Sequence, residues 1–187
     1  ERPGTGTRVN SGGAKIIFSD SNTHHRGAEN YRRSGVTDPM RIEKDGFYAH
    51  QVMWNGWVDT DKFQTYIIGH WNYPKNTVKP IYVVSNGKNV ELFLNGQSLG
   101  KGKREYNFLF TFDKVSYQPG KLEAVSYDKD GKEVSRYMIS TVGEPAKLKL
   151  TTIQNPEGFH ADGADMALIQ VEVVDNNGKR CPLDNRT

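Results

Sequence analysis

Five polar side chains crowd the stretch that follows an apolar run near the start of the sequence: Asp20, Asn22, His24, His25 and Arg26. Carboxylate, amide, imidazole and guanidinium groups can each hold a hydroxyl-rich ligand by paired hydrogen bonds, so these types suit ligand recognition. The alternative is that they cap the loop and bond one another. His24 and His25 are a poor metal signal. Adjacent residues on an extended chain point opposite ways, and no third ligand stands at a diagnostic spacing. Cys181 is the single cysteine, so an internal disulfide and a metal finger are both excluded. It lies in Lys179-Arg180-Cys181-Pro182 with no base nearby in sequence, which argues against a nucleophile. No metal or cofactor is expected. Trp54, Trp57 and Trp71 could stack on a ring-shaped ligand, but packing is the plainer expectation for Trp54 and Trp71. Trp57, in the connector Gly56-Trp57-Val58, is the one expected at an interface between modules.

The elements that must position these residues are mostly strands. The run Ala14-Lys15-Ile16-Ile17-Phe18-Ser19-Asp20 is short, apolar and β-branched, as in a buried strand. A turn-rich loop from Ser21 to Ser34 follows. Asp45 reads as the N-cap of a helix through Trp54, which Asn55-Gly56 would stop. From Phe63 onward the helical period vanishes. Strands are expected at Thr65–Trp71, Ile81–Ser85, Val90–Leu94, Tyr106–Phe112, Gly120–Tyr127 and Glu133–Val142. Asn95-Gly96 is the strongest hairpin signal, because a type I′ turn needs positive φ at both central residues. Asp130-Gly131 reads as a second hairpin turn. About seven short strands without helices point to an immunoglobulin-like antiparallel β-sandwich. Gly143-Glu144-Pro145 reads as a linker. Beyond it, Ala146–Thr152 and Met166–Val174 read as the first strands of a further sandwich, which two or three strands cannot complete.

Composition is compatible with a folded core. The 187 residues carry 35% apolar and 11% aromatic side chains. The net charge of +3 comes from interspersed signs, with 25 basic and 22 acidic residues. The basic stripe that nucleic-acid binding requires is missing. No apolar stretch long enough to span a membrane is present. The first residue is Glu1 and no signal pattern follows it, so the sequence reads as a piece of a larger protein.

Ile81-Tyr82-Val83-Val84-Ser85-Asn86, then Val90-Glu91-Leu92-Phe93-Leu94-Asn95-Gly96 and Ser98-Leu99-Gly100, resemble the sandwich that follows the catalytic barrel in glycoside hydrolase family 2 β-galactosidases. Gly69-His70-Trp71-Asn72-Tyr73-Pro74 fits the first strand of that module. Gly12-Gly13 and the run to Asp20 are similar to the eighth barrel strand. Arg33–Pro39 and Lys44–Tyr48 resemble the approach to the last barrel helix, with Glu43 where Pro is usual. Phe159–Asp165 and the strand after it are similar to the next sandwich.

The resemblance implies a remnant βα unit of a (β/α)8 barrel in residues 1–58, a sandwich in 59–142 and the start of a second sandwich in 143–187. It implies partners in the rest of the parent glycosidase and a β-galactoside substrate in that parent. The parent's address would be the bacterial periplasm or the cell exterior. A retaining glycosidase needs two carboxyl groups about 5 Å apart. In this family both are glutamates upstream of the eighth strand, and none of the glutamates from Glu1 to Glu172 matches their motifs. The segment is therefore expected to be non-catalytic, with Asp20, Asn22, His24, His25 and Arg26 contacting substrate in the parent. The other reading is a free-standing carbohydrate- or protein-binding sandwich. It requires exposed aromatics clustered on one face, whereas Tyr66, Tyr82, Phe110 and Phe112 fall mostly at positions that read as core.

Overall fold

The computed structural model describes residues 18–21 and 33–184. It divides into two compact units, residues 1–51 and 52–187. Residues 14–17 of the expected first strand lie outside the described residues, as do Asn22, His24, His25 and Arg26.

In the first unit, Phe18–Asp20 runs beside Val36–Thr37. The Val36 N–H donates to the Phe18 carbonyl at 2.8 Å and the Asp20 N–H to the Thr37 carbonyl at 2.9 Å. Ser19 and Thr37 form a parallel bridge, and Thr37 forms an antiparallel one with Glu43. Gly35 makes this approach possible. A Cβ there would lie 2.4 Å from the Asp20 nitrogen, a backbone atom with no room to yield.

Helix α1 spans Asp45–Trp57. Asp45 is its first residue, an acid in the first turn that complements the helix dipole. Asn55-Gly56 does not end it. The Asn55 amide donates sideways to Gln64 Oε1 at 2.9 Å. Gly56 serves packing instead of termination, because a Cβ on it would sit 2.2 Å from the Phe108 ring. Trp57 meets the same ring edge-on at 5.1 Å between centroids. Val52 is the buried side chain of the helix, while Trp54 is 59% exposed in this chain.

The second unit holds two four-stranded sheets. One has the order β1 (Thr65–Ile67), β2 (Val78–Ser85), β6 (Leu109–Ser116), β5 (Lys103–Glu105). The other runs β4 (Gln97–Lys101), β3 (Asn89–Leu94), β7 (Lys121–Tyr127), β8 (Glu133–Ser140). All of their pairings are antiparallel. In immunoglobulin lettering the orders are ABED and C′CFG, the expected topology. Alternate residues of the strands point inward. Ile67, Ile81, Val83, Phe110 and Phe112 from one sheet share a core with Val90, Leu92, Leu94, Leu122 and Ala124 from the other. Trp71 is buried in this core, and its Nε1–H reaches the Gln118 carbonyl at 3.0 Å. Across the same interior, the Thr65 hydroxyl lies 3.0 Å from Ser85 Oγ and 2.9 Å from Ser126 Oγ.

Asn95 and Gly96 turn β3 into β4 with φ of 53° and 83°, the conformation their types predict. Asn95 also clamps the neighbouring loop: Oδ1 accepts from the Lys121 N–H at 2.8 Å and Nδ2 donates to the Pro119 carbonyl at 3.1 Å. Two expectations change. The first strand ends at Ile67 and not at Trp71, because Gly69 takes φ 91° and bends the chain. Tyr106–Phe112 is not one strand. The chain reverses over Tyr106–Phe108, with Tyr106 at φ 52°, to join β5 to β6. The aromatic alternation across that turn imitates a strand period. The Asn86-Gly87 turn carries the chain from one sheet to the other, and a Cβ on Gly87 would press on the Ser126 side chain at 2.8 Å.

After the sandwich, β9 (Lys147–Ile153) and β10 (Leu168–Val174) form an antiparallel pair that is a sheet by itself. Leu148, Leu150, Ile169 and Val171 share one face and are each more than half exposed, at 65%, 65%, 62% and 57%. Amide hydrogen exchange measured along the chain should open β9 and β10 well before β3 and β7, since two strands with an uncovered face lack the burial that protects the sandwich. Thr65→Val should lower stability by about 1–3 kcal/mol in chemical denaturation, because it removes one hydrogen-bond partner from each of two buried serine hydroxyls. A neutral outcome would show that the cross-sheet hydroxyl contact carries no weight.

Candidate functional site

Asp20 is the one predicted ligand-binding residue within the described part, and its carboxylate is tied into the fold. It is 7% exposed. Its Oδ1 accepts from the Gly35 N–H at 2.8 Å, and both oxygens meet Lys44 Nζ, at 3.1 and 3.0 Å. Lys44 also donates to the Arg33 carbonyl at 3.2 Å. These are the loop-capping contacts set out above as the alternative. They fasten the two ends of the loop together, which fixes where the segment from 22 to 32 departs and returns.

Several glutamates on the strands are held by cations. Glu123 meets Lys121 at 3.1 Å and Arg136 at 3.0 Å, and Arg136 also holds Glu133 at 2.8 Å. Burial pushes the Glu123 carboxyl up, but hydrogen bonds from Lys121 and Arg136 outweigh it and leave it below the usual range. The Arg136 hydrogen bond lowers Glu133. Those two carboxylates in turn raise the arginine. Glu105 is lowered by hydrogen bonds from Lys103 and from the Thr111 hydroxyl. Glu172 pairs with Lys149 at 3.4 Å across β9 and β10. A glycosidase needs one carboxyl kept protonated beside one kept ionised. Glu123 and Glu133 instead share one arginine, which keeps both ionised. Among the described residues no group of three His, Cys, Asp or Glu side chains is placed to hold a metal ion. Cys181 is buried, with Sγ 3.8 Å from the Gly143 carbonyl.

Three aspartates build one and the same turn. At Asp38, Asp128 and Asp175, Oδ1 accepts from the N–H groups two and four residues on, at 2.8–2.9 Å. The aspartate's own N–H donates to the carbonyl four residues on. The residue three positions on takes positive φ, namely Arg41 at 68°, Gly131 at 80° and Gly178 at 77°. One carboxylate oxygen thus satisfies two amides that a tight turn would leave free. Asp175 does more, because its Oδ2 accepts from the Gly143 N–H at 2.9 Å and ties the linker to the turn after β10.

Among the open depressions on the sandwich, two carry basic linings. One of about 470 Å³ lies along the edge where Leu99, Lys101, Lys103, Phe112 and Lys114 meet. The other, about 380 Å³, is lined by Phe63, Asn86, Lys88, Arg104, Asp128 and Lys129. The second was not legible in the sequence, since its residues come from three separate loops and strand β5 with no shared motif.

Comparison with known proteins agrees with this architecture. A family model described as "Domain of unknown function (DUF4982)" matches residues 76–135. A β-glucuronidase of Formosa agariphila is 44% identical over 92% of the chain, which is 17% of that protein. The β-galactosidase BoGH2A of Bacteroides ovatus is 32% identical over 79% of the chain, also 17% of that protein. Among solved structures, a β-glucuronidase from glycoside hydrolase family 2 superposes with a TM-score of 0.80 at 42% identity, over 90% of this chain and 17% of that one. A β-glycosidase from Bacteroides vulgatus gives a TM-score of 0.68 at 29% identity, over 82% and 19%. Fold and relatives together show a mainly β chain that is similar to a segment of larger glycosidases. Over most of its length the chain matches a small part of glycoside hydrolase family 2 enzymes, whose relatives here are β-glucuronidases as well as β-galactosidases. The chain spans about a sixth of the length of the curated relatives named above.

The Asp175 turn predicts an acid response. Hydrogen bonds from the Gly143 and Lys179 amides hold its carboxyl below the usual range. A depressed folded value means that the stabilisation is present above the unfolded value and is lost as pH falls through the folded one. The protection factors of the Gly143 and Lys179 amides should therefore hold near neutrality and fall as pH drops through the depressed Asp175 value. In Asp175→Asn the acid dependence should flatten, and an unchanged profile would refute the linkage.

Proposed function

We propose that the chain is a non-catalytic, C-terminal segment of a retaining family 2 glycosidase, whose sandwich braces the catalytic barrel. The observation that carries this reading is the coverage: similarity runs over 92% of the chain but only 17% of the Formosa relative. The engagement of the strand glutamates in ion pairs supports it. So does a sandwich whose core closes without any other module.

In this reading residues 1–58 are the end of the barrel, 59–142 the bracing sandwich and 143–187 the start of another. The uncovered face of β9 and β10 then awaits the remaining strands of that module. The parent's substrate is a β-galactoside or a β-glucuronide, as the two kinds of relative suggest. Asp20 fastens the loop that would carry Asn22, His24, His25 and Arg26 to the sugar. The resemblance also supports a parent that works in the periplasm or outside the cell.

The test uses chromogenic β-galactoside and β-glucuronide. The 187-residue chain should turn over neither, and a protein extended upstream through the whole barrel should turn over one of them. Hydrolysis by the chain alone would overturn the assignment.

A further inference from the structure

The smaller depression of the sandwich combines an aromatic ring held in place with an excess of positive charge. Phe63 is 41% exposed, yet its backbone is gripped on both sides. Asn86 Oδ1 accepts from the Gln64 N–H at 2.7 Å, and Asn86 Nδ2 donates to the Lys62 carbonyl at 2.7 Å. The Asn86 N–H donates to the Gln64 carbonyl at 3.3 Å. An exposed ring on a clamped backbone loses little freedom when a ligand stacks on it.

Around it stand Lys88, Arg104 and Lys129, against the single carboxylate of Asp128. Arg104 is oriented by Nε and Nη2, both donating to the Asn107 carbonyl at 2.9 and 2.7 Å. The Lys88 backbone is fixed by its N–H on the Tyr127 carbonyl at 2.7 Å. Asp128 commits Oδ1 to two turn amides, which leaves Oδ2 as an acceptor for a ligand hydroxyl. A ring face alone would take a neutral sugar, and cations alone would take any anion. Together they select a pyranose that carries a negative charge.

We infer that this depression, formed by Phe63, Lys88, Arg104 and Lys129, is a binding site for an acidic saccharide, a carboxylate-bearing sugar unit of a longer chain. The site is built from residues of the second unit alone and does not depend on bond cleavage. A volume of about 380 Å³ accommodates one or two sugar rings.

The experiment is a titration of the 187-residue chain, followed by backbone amide shifts, with a glucuronate-containing tetrasaccharide, a neutral galactose tetrasaccharide and inorganic sulfate at matched ionic strength. The acidic sugar should bind saturably, shift the amides around Phe63, Asn86 and Lys129, and weaken as salt rises. The neutral sugar should bind at least about tenfold more weakly. The double variant K88A/K129A should lose about tenfold in affinity, and Phe63→Ala a comparable amount, with Phe63→Tyr retaining it. All these positions are exposed, so unchanged amide spectra elsewhere confirm folding. Equal affinity for neutral and acidic sugars, shifts by sulfate equal to those by the acidic sugar, or indifference to the variants would each overturn the site. Because the reading uses no turnover, a failed titration leaves the segment assignment standing, and turnover by the chain leaves the titration interpretable.

Discussion

The two sheets of the sandwich are joined by one apolar core, and every other feature of the second unit depends on their staying face to face. Each large side chain buried there contributes roughly 1.5–3 kcal/mol of transfer free energy. That driving force is non-directional, so it does not by itself fix how the sheets align. The Thr65 hydroxyl does, because it touches Ser85 on its own sheet and Ser126 on the other. A slip between the sheets would bury hydroxyls without partners, at about 1–3 kcal/mol for each. Trp71 adds a second directional contact through the Gln118 carbonyl, and its own carbonyl accepts from the Thr141 hydroxyl at 2.9 Å. Alignment of the sheets in turn sets where their end loops meet, and hence the depression around Phe63.

Carboxylates in this chain act mainly as structural acceptors. Asp38, Asp128 and Asp175 each close a turn by the same set of hydrogen bonds, in both units. Asp20 closes a loop, and Glu123 with Glu133 brackets Arg136 between strands. For Asp175, Glu123 and Glu133 those hydrogen bonds hold the carboxyl below the usual range, as befits structural acceptors. Lys88, Arg104 and Lys129, by contrast, make no ion pair among the described residues and line one depression with Phe63.

Much of this was written locally. Alternation in Val90–Leu94 and Lys121–Tyr127 marked strands, because the side-chain period of a strand is two. Asn95-Gly96 marked its hairpin, because few other pairs tolerate positive φ twice. Less legible were places where a residue type had two uses. Gly56 looked like a helix stop, but its missing Cβ makes room for Phe108, a partner 52 positions away in sequence. Tyr106–Phe108 kept the strand alternation while the backbone turned. Trp54 and Trp71 looked alike in sequence, yet one is exposed and the other buried.

The sequence by itself determined the strand-rich class, the hairpins with demanding turn residues and the resemblance to family 2 enzymes, because periodicity, turn chemistry and motif order are local properties of the chain. Only the tertiary structure decided which strands share a sheet, that Asp20 is bound to Gly35 and Lys44, and that Phe63 stands among three cations. Those facts depend on which distant residues the packed core brings within a few ångströms of one another, and no spacing along the chain encodes that.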